Sequence, residues 1–173
     1  MKEASASIAF HHPGLVVPDI DRARDFYTRA LGYVVVKTFD WDQALAGEPD
    51  MSEQVTGISG TSARCLILKN ANSFLELFQY QSPEPEGNPM ERRACDPGIA
   101  HLAFQVADME HAYRRFTAAG GLVHNEPVRV GEGWSIYCRD PFGNIIELMQ
   151  VGSDEPDFDL VEEKLLPAGC ELK

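Results

Sequence analysis

The sequence predicts an α+β fold built from two tandem βαβββ modules. Three observations carry this: a duplicated segment, a strand-then-helix pattern inside each copy, and a matching final strand. HPGLVVPDIDRARDFYTRALG begins at His12 and HLAFQVADMEHAYRRFTAAGG at His101. A shift of 89 residues therefore superposes His on His, Asp19 on Asp108, Ala23 on Ala112, Thr28 on Thr117 and Gly32 on Gly121. Further along, FLELFQ at 74–79 and IIELMQ at 145–150 place Glu76 on Glu147 and Gln79 on Gln150.

Each copy opens with a short β-branched and apolar strand. An Asp follows, able to accept hydrogen bonds from the free N–H groups of a helix start. In the first copy Ile20, Ala23, Phe26, Tyr27, Ala30 and Leu31 recur at helical steps, and Gly32 can take the left-handed conformation that ends a helix. Met109, Ala112, Phe116 and Ala119 repeat the pattern. Strands are predicted over 33–39, 65–69 and 74–79 in the first copy, and over 122–128, 134–139 and 145–150 in the second. The run Asp140-Pro141-Phe142-Gly143-Asn144 has the chemistry of a tight turn between two of them.

The chain thus reads as one domain over 1–173, with a first module at 8–80 and a second at 99–150. Residues 81–98, rich in proline and charge, form the linker, and a tail follows over 151–173 in which LVEEKLL predicts a turn or two of helix. His and Glu stand 64 residues apart in the first copy and 46 in the second. The difference is an insert placed within 41–62, positioned to cover a site.

Composition narrows the function. With 44% hydrophobic and 24% charged residues the chain is ordinary globular protein, and no apolar stretch approaches the roughly 20 residues of a membrane span. MKEASAS lacks the features of a secretory signal, so a cytoplasmic location is expected. A formal charge of −12 opposes nucleic acid and anionic membranes, which leaves a small molecule as the expected partner. Cys65, Cys95, Cys138 and Cys170 show no metal-site spacing and read as reduced thiols.

Alternate side chains of a strand share a face, so Glu76 points with Phe74 and Phe78, and Glu147 with Ile145 and Met149. A carboxylate held among apolar side chains costs several kcal/mol unless it is paired or meets a cation. No Lys or Arg occupies the matching strand positions, but His12 and His101 open the first strands. Two imidazoles and two carboxylates suit one divalent ion, Zn, Ni, Co, Mn or Fe, and leave one or two positions for water or substrate. His12, Glu76, His101 and Glu147 are the expected ligands. His11 should face away from His12, and with His111 and His124 reads as a surface residue.

At these residues the chain resembles the vicinal oxygen chelate superfamily, which includes glyoxalase I, methylmalonyl-CoA epimerase, extradiol dioxygenases, and fosfomycin and bleomycin resistance proteins. The resemblance spans residues 8–150 and rests on H-P-G-L-V-V-P-D, D-F-Y-T-R-A-L-G, F-L-E-L-F, G-I-A-H-L-A-F-Q-V-A-D and D-P-F-G-N-I-I-E-L. It implies that the paired modules form an open, cup-shaped mixed-sheet half-barrel around the metal, commonly completed in a homodimer. The implied chemistry is chelation of adjacent substrate oxygens, with proton transfer beside a carbonyl in the glyoxalase I and epimerase branches and Glu147 as base. Glu48 or Glu53 in the insert is the candidate for any second base. Arg64, Trp134 and Tyr137 are candidate substrate contacts because their strands should line the cup. Two other readings stay open: an Fe(II) ring-cleaving dioxygenase, and a drug-binding or resistance protein that performs no chemistry.

Overall fold

The computed structural model describes residues 9–41 and 51–160. The first module runs β1 (Gly14–Val16), α1 (Ile20–Leu31), β2 (Val34–Trp41), α2 (Met51–Thr56) in the insert, β3 (Ser62–Lys69) and β4 (Phe74–Ser82). A 3-10 turn at Pro89–Glu91 lies in the linker. The second module runs β5 (Leu102–Gln105), α3 (Met109–Ala118), β6 (Val128–Val130), β7 (Gly133–Arg139) and β8 (Ile145–Gln150). Each module folds into its own four-stranded sheet, ordered β1-β4-β3-β2 and β5-β8-β7-β6. Only the pairs β1 with β4 and β5 with β8 are parallel, so both sheets are mixed and repeat one topology.

The duplicated residues do the same work twice. Asp19 accepts from the Arg22 N–H at 2.9 Å and Asp108 from the His111 N–H at 2.9 Å, capping the two helices. Gln79 and Gln150 accept from the first helical N–H groups, of Ile20 at 3.1 Å and Met109 at 2.9 Å. Each Gln thereby ties a last strand to its helix start. Gly32 ends α1 at φ 73°, and the Gly32 and Tyr33 N–H groups return to the Thr28 and Tyr27 carbonyls.

One hydrophobic core serves both modules, and it lies on the helix side of the sheets. Leu66, Leu68, Leu75 and Leu77 of the first sheet and Ile136, Ile146 and Leu148 of the second meet Ile20, Phe26, Tyr27, Met109 and Phe116 of the helices. Phe26 and Phe116 meet edge to face at 5.2 Å across α1 and α3. At the helix ends Arg29 donates to the Ala118 carbonyl and Arg115 to the Arg29 carbonyl, both at 3.0 Å.

The fully buried Tyr27 locks this arrangement. Its hydroxyl donates at 2.9 Å to Asp140, itself fully buried in the turn before β8. Asp140 also accepts from the Phe142 and Asn144 N–H groups and the Asn144 amide. Burial, and the Asp140 charge after it, push the Tyr27 phenol well above its usual range, so it stays a donor. Gly143 in this turn has φ 101°, and a Cβ there would come within 2.5 Å of the Met90 N, so the linker lies directly against it.

The predicted strand over 122–128 is replaced by a single bridge, Leu122 to Arg139, and a short β6 that starts only at Val128. Pro127 offers no N–H for a ladder, and Leu122, Val123 and Val128 are exposed, so no buried face holds an extended strand there. The linker starts later than expected because β4 continues to Ser82, and Arg139 fixes it to the second module by donating to the Pro89 and Arg92 carbonyls. The helical turns expected in LVEEKLL, apart from Leu160, lie outside the described residues. No helix among the described residues is long and apolar enough to cross a membrane.

Replacing Tyr27 by Phe removes one of the four donors to a buried carboxylate and should lower unfolding free energy by about 1.5–3 kcal/mol in a denaturant titration. A loss under about 0.5 kcal/mol would mean that the contact does not hold the modules together. The thiols offer a second check. Burial, first, and nearby carboxylates push Cys65 and Cys138 up to about 12, whereas Cys95 is exposed. In a Cys170→Ser chain at about pH 8, a disulfide-exchange reagent should modify Cys95 alone until the protein is unfolded. Fast native-state modification of a second thiol would contradict the burial.

Candidate metal centre

Strand alternation sets the site. Leu75, Leu77 and Gln79 of β4 turn to α1, so Glu76, Phe78 and Tyr80 turn to the opposite face; Ile146, Leu148 and Gln150 likewise leave Glu147 and Met149 away from α3. Gly14 pairs with Glu76 across β1 and β4, and Ala103 with Glu147 across β5 and β8. His12 and His101 sit two residues before those partners and reach the same two faces. His12 Nε2 lies 2.9 Å from Glu76 Oε2, and His101 Nε2 lies 2.9 Å from Glu147 Oε2. Side-chain exposure is 29% and 14% in the first pair, 25% and 17% in the second, so both carboxylates are largely withdrawn from water.

The spacing suits a cation. Cis donors of an octahedral ion with bonds of about 2.1 Å stand about 3 Å apart. His101 Nδ1 is a buried polar atom without a hydrogen-bond partner among the described residues, a condition folded proteins reserve for a few special sites. Two imidazoles and two carboxylates are a fitting donor set for a divalent transition ion.

Within one chain the four expected ligands come together two by two. No group of three or more His, Cys, Asp or Glu among the described residues is arranged to hold a metal. The physical reason is the shared core: both sheets press their apolar faces on the α1–α3 layer, which leaves the two His–Glu pairs on separate faces, with β1 and β5 as edge strands of different sheets. A groove of about 1110 Å³ does exist, but on the helix side, lined by Leu31, Phe104, Met109, Tyr113, Trp134 and Gln150 rather than by either pair.

The two pairs have different surroundings. Ser135 donates its hydroxyl to Glu147 Oε1 at 2.7 Å, and the Tyr137 ring lies 4.5 Å from that of His101. Burial and then the Glu147 charge raise the Tyr137 phenol, so it keeps its proton at neutral pH. Around Glu76 the corresponding positions are Cys65 and Ile67, which offer no such hydroxyls. His12 Nδ1 instead lies 2.6 Å from His11 Nδ1.

Of the expected substrate contacts, Tyr137 stands beside a His–Glu pair and the other two do not. Trp134 has opposite parity to Tyr137 on β7, so it faces α3, with the Arg129 guanidinium 5.3 Å above its ring. Arg64 also turns to the helix side, where it pairs with Asp21 at 3.1 Å and holds that carboxyl below its usual range. His11 does not face away from His12: it touches it and stacks on Phe74 at 4.7 Å, because residues before β1 are free of strand alternation. Glu53, on α2, accepts from the Gly60 N–H just beyond that helix, and Glu48 lies outside the described residues. His111 and His124 are exposed, as expected. Ser135 was missed, although alternation from Tyr137 was a signal for it.

Comparison with known proteins places these features. Two curated relatives are each 29% identical. A 2-epi-5-epi-valiolone epimerase from an Actinomyces species matches over 167 residues, covering 92% of this chain and 88% of the relative. A lactoylglutathione lyase from Pseudomonas putida matches over 154 residues, covering 85% and 87%. Among solved structures, a glyoxalase family protein from Bacillus cereus superposes with a TM-score of 0.73 at 19% identity, over 87% of this chain and 98% of that one. The family profile itself matches residues 9–148, and the chain belongs to the glyoxalase/bleomycin resistance protein/dioxygenase superfamily.

Proposed function

We propose that this chain is a divalent-metal-dependent enzyme that moves a proton beside a carbonyl of a small oxygenated substrate, as a glyoxalase I-type lyase or an epimerase. We further propose that its centre is shared, with His12 and Glu76 from one copy and His101 and Glu147 from a second in a homodimer. The observation that carries the reading is the repeated His–Glu pair, with the same 2.9 Å spacing on two equivalent faces outside the core. Neither pair is a sufficient ligand set alone, and two-fold symmetry brings one of each kind together twice in a dimer. The relatives named as an epimerase and a lyase support the reaction class.

A bound divalent cation, Zn, Ni, Co, Mn or Fe(II), supplies Lewis acidity next to the substrate carbonyl. Glu147 is the base that takes the proton from the adjacent carbon and returns it. Ser135 donates to Oε1 of Glu147 while Oε2 meets His101, so both carboxylate oxygens are oriented. Glu76 has no comparable hydroxyl beside it, which supports giving the proton-transfer role to the second module. Tyr137 would donate to a substrate oxygen, a role supported by its 38% exposure beside the His101 ring. Free Cys65, Cys95 and Cys138 fit a reducing, cytoplasmic setting.

Elemental analysis should find about one divalent ion per chain, as two shared centres in a dimer require. In deuterated water the metal-loaded protein should exchange a carbon-bound proton of a substrate drawn from hemithioacetals of 2-oxoaldehydes, acyl-CoA thioesters and hydroxyketones. Glu147→Gln should slow that exchange by about 10²–10⁴-fold. Equal and negligible metal in wild type and in the His12→Ala, His101→Ala variant would remove the centre. Full metal with no exchange from any substrate class would favour a binding protein.

A further inference from the structure

The face that carries His12 and Glu76 also carries a row of aromatic rings. Phe78, two residues beyond Glu76 on β4, packs 5.1 Å from Trp41 and 5.9 Å from Tyr80, whose ring is nearly parallel to it at 26°. Phe39 continues the row 6.4 Å from Trp41, and the Lys37 ammonium closes its far end 5.0 Å from the Phe39 ring. All four rings are only half-buried. They lie on the side of the sheet opposite the shared core, where they flank the buried Ala63 and Cys65 and still keep part of their own surface exposed.

The second module is an internal control on whether the fold needs the rings. Its ladders place Val128 where the first has Phe39, Val130 where it has Trp41, and Met149 where it has Phe78, while Val151 matches Tyr80 in the repeat. The same module architecture therefore forms without any of the rings. Their accommodation is specific too: Gly14 stands where the second module has Ala103, and a Cβ at Gly14 would lie 3.1 Å from Phe78 Cε2. Contiguous half-exposed apolar surface of this kind marks a binding surface.

We propose that Phe39, Trp41, Phe78 and Tyr80 form a stacking wall for a ring carried by the substrate, with the ring's flat face on Trp41 and Phe78 and its oxygens directed to Glu76 and His12. The ligand class is a small oxygenated carbonyl compound that carries a ring, represented in the test by hydroxyketones. An aromatic ring and the C–H face of a saturated ring both bury apolar area against this wall. The inference rests on the metal-centre reading above.

The test uses metal-loaded protein whose ion content has been measured, which separates failure of the wall from failure of the centre. Of the two tryptophans, Trp134 faces the helix side, so Trp134→Phe leaves Trp41 as the only indole reporter. Acetoin, hydroxycyclohexanone and phenacyl alcohol share an adjacent hydroxyl and carbonyl and differ in the ring. Both cyclic probes, or phenacyl alcohol alone if the wall selects aromatics, should perturb Trp41 emission and bind about tenfold tighter than acetoin. Trp41→Leu and Phe78→Leu should abolish that preference at unchanged metal content. If Trp134→Phe fails to fold, wild type compared with Trp41→Phe isolates the same signal. The proposal is overturned if metal-loaded protein binds all three probes alike, if the Leu variants keep the preference, or if Trp41 emission responds only to dissociation of the dimer on dilution, which would make the wall a subunit contact.

Discussion

A carboxylate drawn out of water must meet a cation or hydrogen-bond donors, and that constraint organises this molecule around Glu76 and Glu147. Both glutamates stand on central strands whose alternate residues build the core, so the register that buries Leu75, Leu77, Ile146 and Leu148 also fixes where the carboxylates point. A slip of one residue would move the acids into the core and the leucines out of it. The imidazoles of His12 and His101 answer each carboxylate at 2.9 Å, and in the proposed centre each pair is half of a metal site.

The core decides how the halves are distributed. Both helices are used as a common layer, with Phe26 against Phe116 and Tyr27 reaching Asp140 in the other module. That layer gives the described residues one hydrophobic interior and leaves the outer face of each sheet without an opposing wall among the described residues. The faces differ in content. One offers rings beside its His–Glu pair, the other a serine and a tyrosine, so a centre assembled from one of each would set an apolar wall against a polar one.

Much of this was legible in the sequence because duplication supplies its own alignment. The 89-residue shift exposed the repeated strand-and-helix unit and both helix caps, and the matching Gln79 and Gln150 became intelligible once they were seen to bond the first N–H groups of α1 and α3. Periodicity alone also contained a constraint that the substrate contacts overlooked: Trp134 and Tyr137 are three apart on one strand, so they cannot share a face. Arg64 was harder, because its parity depends on the β3–β4 register and on a partner, Asp21, that only folding brings near. Least legible was whether the modules oppose each other within one chain. Two copies of one module can pair inside a chain or between chains with nearly the same local sequence, and the choice is made by side-chain packing across the helices.

Subunit complementation tests the shared centre most directly. One chain would carry His12→Ala with Glu76→Ala, the other His101→Ala with Glu147→Ala, and each alone should bind no stoichiometric metal. Mixed equally and allowed to exchange subunits, they should recover about a quarter of wild-type metal, since half of the dimers are mixed and each mixed dimer has one intact centre of two. Metal content that stays at the level of the separate variants, with subunit exchange verified by mass, would contradict a centre built from two copies.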